Sequence, residues 1–464
     1  MSKNLRINKN NFIDQTTRIS FKFNGQKLFG YKGDTLASAL LANNIHLVGR
    51  SFKYHRPRGI MTCGSEEPNA IVQIGNDPSL TDPNVRATEI ELYEGLDASS
   101  QNCWPSVNFD IGGINNFLSP LLPAGFYYKT FMWPASFWEK YEYFIRHSAG
   151  LGKAPTKSDP DIYDHQYSHC DVLVVGGGIS GIISAKLSAE KGLDTILIDD
   201  KSFLGGSTIY QENECYKINS INSNKWLANE IESLKNYPNL LIKNRTSLAA
   251  FHGYNYLLAR ENLTDHLSIN ERKGKVRQRL WKIRAKKVII ASGSIERPLV
   301  FSNNDRPGVI LSSSIKKYID YYGVKTGENI SLFTNNDSAY ETAISLYKSG
   351  VKVNIIVDIR KNSDSLIVKE ALELGLKVLW ESTVVDTQGY KRIKSFEVMK
   401  LSDDGNNVVG DRSKYNCDCL GISGGWTPMV HLFTQSGGKL KFRNDDNVFI
   451  PDVNKTPSNQ ISVG

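Results

Sequence analysis

At 464 residues, 40% of them hydrophobic, the chain is long enough for more than one domain at roughly 100–200 residues each. Its formal net charge of +8 comes from scattered lysines without a long basic stripe, which argues against a nucleic-acid partner. The polar N-terminus lacks a signal-peptide pattern, and the longest uncharged run, 111–128, is broken by Gly, Pro and Asn and makes a poor membrane span. The six cysteines (Cys63, Cys103, Cys170, Cys215, Cys417, Cys419) are scattered as in a reduced cytoplasmic protein without a disulfide framework or a metal site.

Residues 1–15 read as a loose tail. Residues 17–23 alternate as a strand, Asn24-Gly25 is a hairpin signal, a second strand follows, and 35–43 reads as a helix with Asp34 as its N-cap. Strand, hairpin, strand, helix opens a ferredoxin-like β-grasp domain, assigned to 16–100. In that fold the next loop carries C-x4-C-x2-C. Here the loop holds Cys63 alone, so the domain is expected to lack an iron–sulfur cluster. The basic run Lys53, His55, Arg56 and Arg58 either contacts an anionic cofactor or partner subunit, or is a solvated loop stiffened by Pro57. A strand follows at 70–74. From 101 to 168 the chain is aromatic and proline-rich, with a helix at 135–147. Its exposure would leave a large apolar patch, so packing beneath neighbouring domains is expected, with an interface as the alternative.

The stretch 170–207 carries the strongest motif. A buried strand at 171–175 leads into Gly176, Gly178 and Gly181, spaced G-x-G-x-x-G. The first glycine permits the turn, the second lets a pyrophosphate approach the backbone, and the third lets the helix at 180–191 pack on the sheet. That helix aims its amide N–H groups at the phosphates. Gly192 ends it, and a strand at 195–198 delivers Asp199 about 20 residues beyond the first glycine, where an acidic residue binds the adenosine ribose. Asp199 and Asp200 would repel a 2′-phosphate, which disfavours NADP, although Lys201 softens the repulsion. Gly205 and Gly206 allow a second close backbone approach. The motif alone does not separate NAD from FAD, because both carry ADP.

A helix at 225–236 and strands at 240–243, 254–260, 280–284 and 286–291 continue this domain, assigned to 169–310. Backbone near Leu248 is placed to meet the adenine, and the small-Ser-Gly turn at Gly293 closes the nucleotide domain. Residues 311–418 repeat the plan in degraded form: strand 329–334, helix 338–348, strand 351–358, helix 365–374. The turn at 335–341 has no glycine and places Asp337 where phosphate would lie, so this second unit is not expected to bind a nucleotide in the usual way. Cys417 and Cys419 form C-x-C, which gives poor support for dithiol chemistry. Residues 419–464 return to the first nucleotide domain and stop where a last glycine turn should meet the cofactor, so the chain is expected to be truncated or one piece of a longer polypeptide. The fold class is thus α/β, with an N-terminal α+β β-grasp domain followed by a C-terminally truncated, disulfide-reductase-like FAD/NAD(P)-binding double-nucleotide fold. His431 and Asp337 are the tempting general bases, and neither stands out from a structural role; the catalytic residues are unassigned.

Longer stretches are more specific than these patterns: GRSFKYHRPRGIMTCGSEEPNA (49–70), VVGGGISG (174–181), RQRLWKIRAKKVIIASGSIERPLVF (277–301), NDRPGV (304–309), FTNNDSAYETA (333–343) and SGGWTPMVHLFTQSGGK (423–439). On these the chain resembles the N-terminal half of the alpha subunits of the heterotetrameric sarcosine oxidase family. The resemblance implies NAD held tightly at the first nucleotide site, with contacts at Ser180, Asp199, Asp200, Lys201, Ser207 and Leu248. It implies FAD and FMN on or against a beta-type flavoprotein subunit where sarcosine is oxidised, smaller subunits besides, and a folate-binding C-terminal half that this chain lacks. Two readings compete with an NAD-holding subunit whose catalytic centre lies on its partner. One is the small, FAD-binding subunit of a related amino-acid or opine dehydrogenase or of hydrogen cyanide synthase; the other is an assembly subunit that the nucleotide merely stabilises. No membrane association is expected.

Overall fold

The computed structural model describes residues 4–7, 12–122, 125, 133–148, 150–210, 217–457 and 459–463. The chain divides into two compact units, Met1–Pro160 with Arg297–Gly425, and Asp161–Glu296 with Trp426–Gly464. Among the described residues no helix is long and apolar enough to cross a membrane.

The first unit begins with a five-stranded mixed sheet in the order Gln26–Lys32, Asp14–Phe23, Asp97–Ser100, Ile71–Ile74, Asp82–Arg86. Alternation in Asp14–Phe23 buries Ile19, Phe21 and Phe23. Asn24 (φ 51°) and Gly25 (φ 78°) make the two-residue turn that pairs Phe23 with Gln26. The helix Leu36–Ala42 is buried along its whole length. Its N-cap is Thr35, whose hydroxyl accepts from the Ser38 N–H while the Ser38 hydroxyl oxygen accepts from the Thr35 N–H, so the expected Asp34 cap is corrected by one residue. Asp34 is otherwise engaged: it pairs with Arg6 at 2.5 Å and accepts from the Ser38 hydroxyl at 2.6 Å. The N-terminal tail is therefore not loose at 4–7. The Leu5 N–H donates to the Ala42 carbonyl and that of Ile7 to the Gly323 carbonyl.

The same unit contains a five-stranded parallel sheet in the order Val309–Leu311, Cys419–Ser423, Asn329–Thr334, Lys352–Asp358, Val378–Leu379. The helices Ser312–Asp320, Ser338–Lys348 and Leu366–Glu373 bury Ile315, Ile319, Tyr340, Ile344 and Val368 in a core with Ile330, Leu332 and Ile356. The basic run ties the β-grasp region to this part of the unit. Arg56 forms a bidentate pair with Asp305, with both nitrogen–oxygen distances 2.7 Å, and Arg58 contacts the same carboxylate. Asp305 is long-range in sequence, which is why neither reading of the run as a cofactor contact or a solvated loop anticipated it. Burial works against the Asp305 charge, but the two guanidinium groups win and hold its carboxyl down at about 2.

The aromatic stretch departs from expectation. Trp104, Phe109, Phe117, Trp133 and Phe144 are exposed rather than packed beneath a domain. The helical turn Ala135–Phe137 and the helix Trp138–Ser148 occupy the expected helical position. Residues 126–132 of the stretch lie outside the described residues.

The second unit is a seven-stranded sheet. Leu240–Lys243, Thr195–Ile198, Ile162–Val175, Val276–Ile290, Tyr256–Asn262 and Thr246–His252 lie in that order, and Gln460–Ser462 also pairs with Val276–Ile290. Two strands are longer than the sequence suggests. Ile162–Val175 extends back from the expected 171–175, and 280–284 and 286–291 are one continuous strand. They run parallel along their whole length, from Ile162 opposite Val276 to Val175 opposite Ile290. Their C-terminal halves build the nucleotide-type sheet, and their N-terminal halves continue into an antiparallel meander. Leu173, Ile196, Leu257, Trp281, Ile283 and Phe433 form its core.

Candidate nucleotide site

The glycine turn joins Ile162–Val175 to the helix Ile179–Glu190, and its three glycines do different work. Gly176 sits at φ 108°, and a Cβ there would collide with the Ala291 carbonyl oxygen. A Cβ on Gly181 would collide with the Gly176 carbonyl oxygen. These two glycines are demanded by the fold itself. Gly178 is different: its φ is −73°, and a Cβ there would meet nothing within 4 Å. It caps the helix without a side-chain hydrogen bond, leaving the first-turn N–H groups to face an anion. Gly206, at φ 56°, brings its own backbone alongside, so that a Cβ on it would lie 3.0 Å from the Gly178 Cα. Two glycine backbones thus border one space at a helix N-terminus. Gly205 N–H donates to the Gly177 carbonyl at 2.7 Å and fixes this second approach.

Asp199 ends the strand Thr195–Ile198 and stitches the turn together. Its Oδ2 accepts from the Gly177 N–H at 2.6 Å and its Oδ1 from the Lys201 N–H at 2.8 Å. Burial, then the neighbouring Asp200, pushes its carboxyl above the usual carboxylate range, and the two N–H bonds oppose them. Each oxygen keeps a second lone pair for a ribose hydroxyl. Asp200 pairs with Lys201 at 2.8 Å. The Asp199 carbonyl accepts from Thr246 N–H at 2.7 Å, which starts Thr246–His252 beside the acid. Leu248 lies two residues along that strand, half-buried and opposite Ala259. Ser180 is half-buried in the first helical turn, and its carbonyl accepts from Ser184. Ser207 is exposed in the helical turn Gly206–Tyr210. Gly293 (φ 69°) is exposed, has open space around its Cβ position, and accepts Met429 N–H through its carbonyl at 2.9 Å.

The counterpart of this turn in the degraded repeat, within the first unit, is bridged by the chain's own side chains. Arg360 reaches Asp337 at 2.6 Å and Asp358, the acid ending Lys352–Asp358, at 2.7 Å. The Tyr340 hydroxyl donates to Asp358 at 2.8 Å. Burial raises the Asp337 carboxyl and Arg360 more than cancels it, so the group lies below its ordinary value. Asp337 is therefore held by a guanidinium, and His431 is exposed at the first position of the helix His431–Gln435. Cys417 and Cys419 are buried, and burial pushes the Cys419 thiol up to about 12. Thiols held protonated in this way are poor nucleophiles. Cys215 lies outside the described residues.

Residues 170–461 match the family described as pyridine nucleotide-disulphide oxidoreductase. The chain belongs to that family. Residues 16–103 match the family described as 2Fe-2S iron-sulfur cluster binding domain. That match overturns the expectation of a β-grasp domain without an iron–sulfur cluster, which rested on counting thiols in one loop. The thiols in this stretch are Cys63, buried, and Cys103, half-buried. Among the described residues no group of three or more His, Cys, Asp and Glu side chains is gathered to hold a metal ion, so no chemistry is assigned to a cluster here.

The resemblance to sarcosine oxidase alpha subunits is borne out. The chain is 42% identical to sarcosine oxidase subunit alpha from Rhizobium meliloti (strain 1021), over 96% of this chain and 43% of that relative. It is 32% identical to the subunit of the same name from Corynebacterium sp. (strain U-96), over 95% of this chain and 40% of that relative. The chain thus spans less than half the length of these curated relatives. In fold it is similar to L-proline dehydrogenase from P.horikoshii, with a TM-score of 0.64 and 19% identity, over 100% of this chain and 71% of that one.

Proposed function

We propose that this chain is the nucleotide-holding, alpha-type subunit of a sarcosine-oxidising complex, and that the nucleotide is NAD. The observation that carries the binding half of this reading is the open space at Gly178, where the fold gives no reason for a bare backbone at an uncapped helix N-terminus, with the Gly206 backbone close alongside. Gly176 and Gly181 shape the turn, Gly178, Gly206 and the first-turn N–H groups receive the pyrophosphate, and Ser180 and Ser207 flank it. Asp199 accepts from the adenosine ribose, Asp200 and Lys201 set the charge beside it, the backbone at Leu248 meets the adenine, and Gly293 leaves room on the nicotinamide side. The adjacent carboxylates of Asp199 and Asp200 disfavour a 2′-phosphate and so support NAD over NADP.

The similarity to the two alpha subunits supports the reaction: sarcosine, oxygen and tetrahydrofolate give glycine, hydrogen peroxide and methylenetetrahydrofolate. The chemistry is carried on a beta-type flavoprotein partner. NAD supplies a hydride-accepting ring when bound; the residues here hold it and keep it in place. The degraded repeat at 311–418 does not take a nucleotide, since Arg360 already neutralises both carboxylates that line its turn.

The test is to purify the chain, denature it, and identify the released nucleotide by mass and absorbance. NAD near one per chain is the expected result. FAD at that stoichiometry would overturn the NAD assignment in favour of a flavin-binding dehydrogenase subunit.

A further inference from the structure

The meander of the second unit has one face buried and one bare. On the buried face lie Trp281, Ile283, Leu257 and Ala259. On the other, the register aligns four rows across the strands. His169, Arg284, Tyr256 and His252 form one row; Tyr167, Lys282, Leu258 and Ala250 the next; His165, Leu280, Arg260 and Ser247 the third; Tyr163, Gln278 and Asn262 the last. Tyr163, His165, Tyr167 and His169 alternate as exposed positions along one strand, with Tyr163 at 49% and Tyr167 at 67% exposure. Side-chain contacts join the rows. The Lys282 ammonium lies 4.8 Å from the Tyr167 ring centroid, His165 meets Tyr167 edge-on at 6.1 Å, and the Arg284 guanidinium lies 5.2 Å from the Tyr256 ring centroid. No row contains a carboxylate. Among the described residues Arg260, Lys282 and Arg284 make no ion pair with one.

A solvated sheet face in a chain of mixed charge normally intersperses both signs. Across these four rows tyrosine, histidine and arginine combine without acids, and the adjoining row's Asp171 is already paired with Lys286 at 2.6 Å, the composition of a binding surface rather than of a solvated one. Strand spacing and rise give it on the order of 400 Å², about half of the ~800 Å² that one partner buries in a stable interface, which suits the centre of a larger contact. It is flat and carries three permanent cations, too few and too ungrooved for a nucleic-acid backbone track. A second copy of this chain would bring like charge against it.

We infer that this tyrosine–arginine sheet face, 163–169 with 280–284 and 256–260, docks a carboxylate-bearing surface of the flavoprotein partner subunit. The inference rests on the subunit reading above and names the surface that reading leaves unassigned.

The experiment compares the full chain with the double variant Lys282→Glu/Arg284→Glu, and separately with Tyr167→Ala, for binding to the purified flavoprotein subunit by calorimetry. Melting temperature and retained nucleotide are measured in parallel. At least tenfold weaker binding in both variants, with melting and nucleotide content unchanged, is expected, together with slowed hydrogen exchange at 163–169 and 280–284 in the wild-type complex. Unchanged affinity, or exchange slowed only elsewhere, overturns the docking surface while leaving the subunit reading standing. If the double variant fails to fold, Tyr167→Ala and the exchange map decide. Wild-type chain that does not bind the flavoprotein subunit at all overturns the subunit reading itself. Wild-type chain that binds single-stranded polyuridylate, with that binding lost in the double variant and partner affinity intact, reassigns the face to nucleic acid.

Discussion

At the scale of single residues, the glycine turn separates what the fold needs from what a ligand needs. Gly181→Ala puts a methyl into the Gly176 carbonyl and should cost about 3 kcal/mol or more in thermal or urea unfolding. Gly178→Val enters open space, so it should leave the melting temperature within a few degrees while abolishing retained nucleotide. A fully loaded Gly178→Val chain would remove the pyrophosphate assignment. Asp199 gives a pH signature. Its folded pKa is raised, so between the ordinary carboxylate value near 4 and that raised value the folded chain binds more protons than the unfolded one. In that window this group's contribution to stability falls as pH rises, whereas nucleotide binding, which uses the ionised form, weakens as pH falls. Nucleotide affinity measured from pH 7 downward should decline earlier than an ordinary carboxylate allows, and Asp199→Asn should flatten the decline. Which residues would gather here was legible because G-x-G-x-x-G, a helix and a terminal acid are local in sequence. That Asp199 also stitches Gly177 to Lys201 was not, since backbone N–H groups carry no sequence signal.

At the scale of elements, two charge clusters hold pieces of the first unit in register. Asp305 takes both Arg56 and Arg58, and its depressed pKa means that the lock contributes stability above about pH 4 and loses it as pH falls toward 2. The shift from 3.8 to about 2 corresponds to roughly 2 kcal/mol at neutral pH. Asp305→Ala should lower stability by about that amount at pH 7 and by much less at pH 2.5, as read from urea midpoints. Removing Arg360 is harsher, because Asp358 is fully buried and would be left facing Asp337 without a cation. Arg360→Ala should cost about 3–5 kcal/mol, without a second nucleotide appearing in the stoichiometry. A second equivalent of nucleotide in that variant would show that the arginine alone had kept the turn closed. Strand and helix positions were readable wherever one face is buried, as in the alternation before Asn24-Gly25. The exceptions were long-range. The Ile162–Val175 extension is half exposed and polar, so its strand character comes from pairing with Val276–Ile290 rather than from its own pattern. The tail at 4–7 is ordered by Asp34 and Gly323, far along the chain.

At the scale of the whole molecule, the chain passes from one unit to the other three times, after residues 160, 296 and 425. Neither unit is a contiguous piece. A fragment stopping at 296 leaves the 288–290 part of the long strand without Gln460–Ser462, and Ser294–Glu296 without Trp426–Pro428. The consequence falls on the order of synthesis. The β-grasp region leaves the ribosome first, yet Asp305, the carboxylate that clamps its basic loop, follows only after the 136 residues numbered 161–296. Asp305 lies 249 and 247 residues beyond Arg56 and Arg58, so at roughly 5–20 residues per second they wait on the order of tens of seconds for their partner. During that interval the loop is a cationic, unclamped segment of a nascent chain. Chaperone dependence and nascent-chain protease sensitivity should therefore concentrate there, and should disappear at arrest lengths that let Asp305 clear the ribosome.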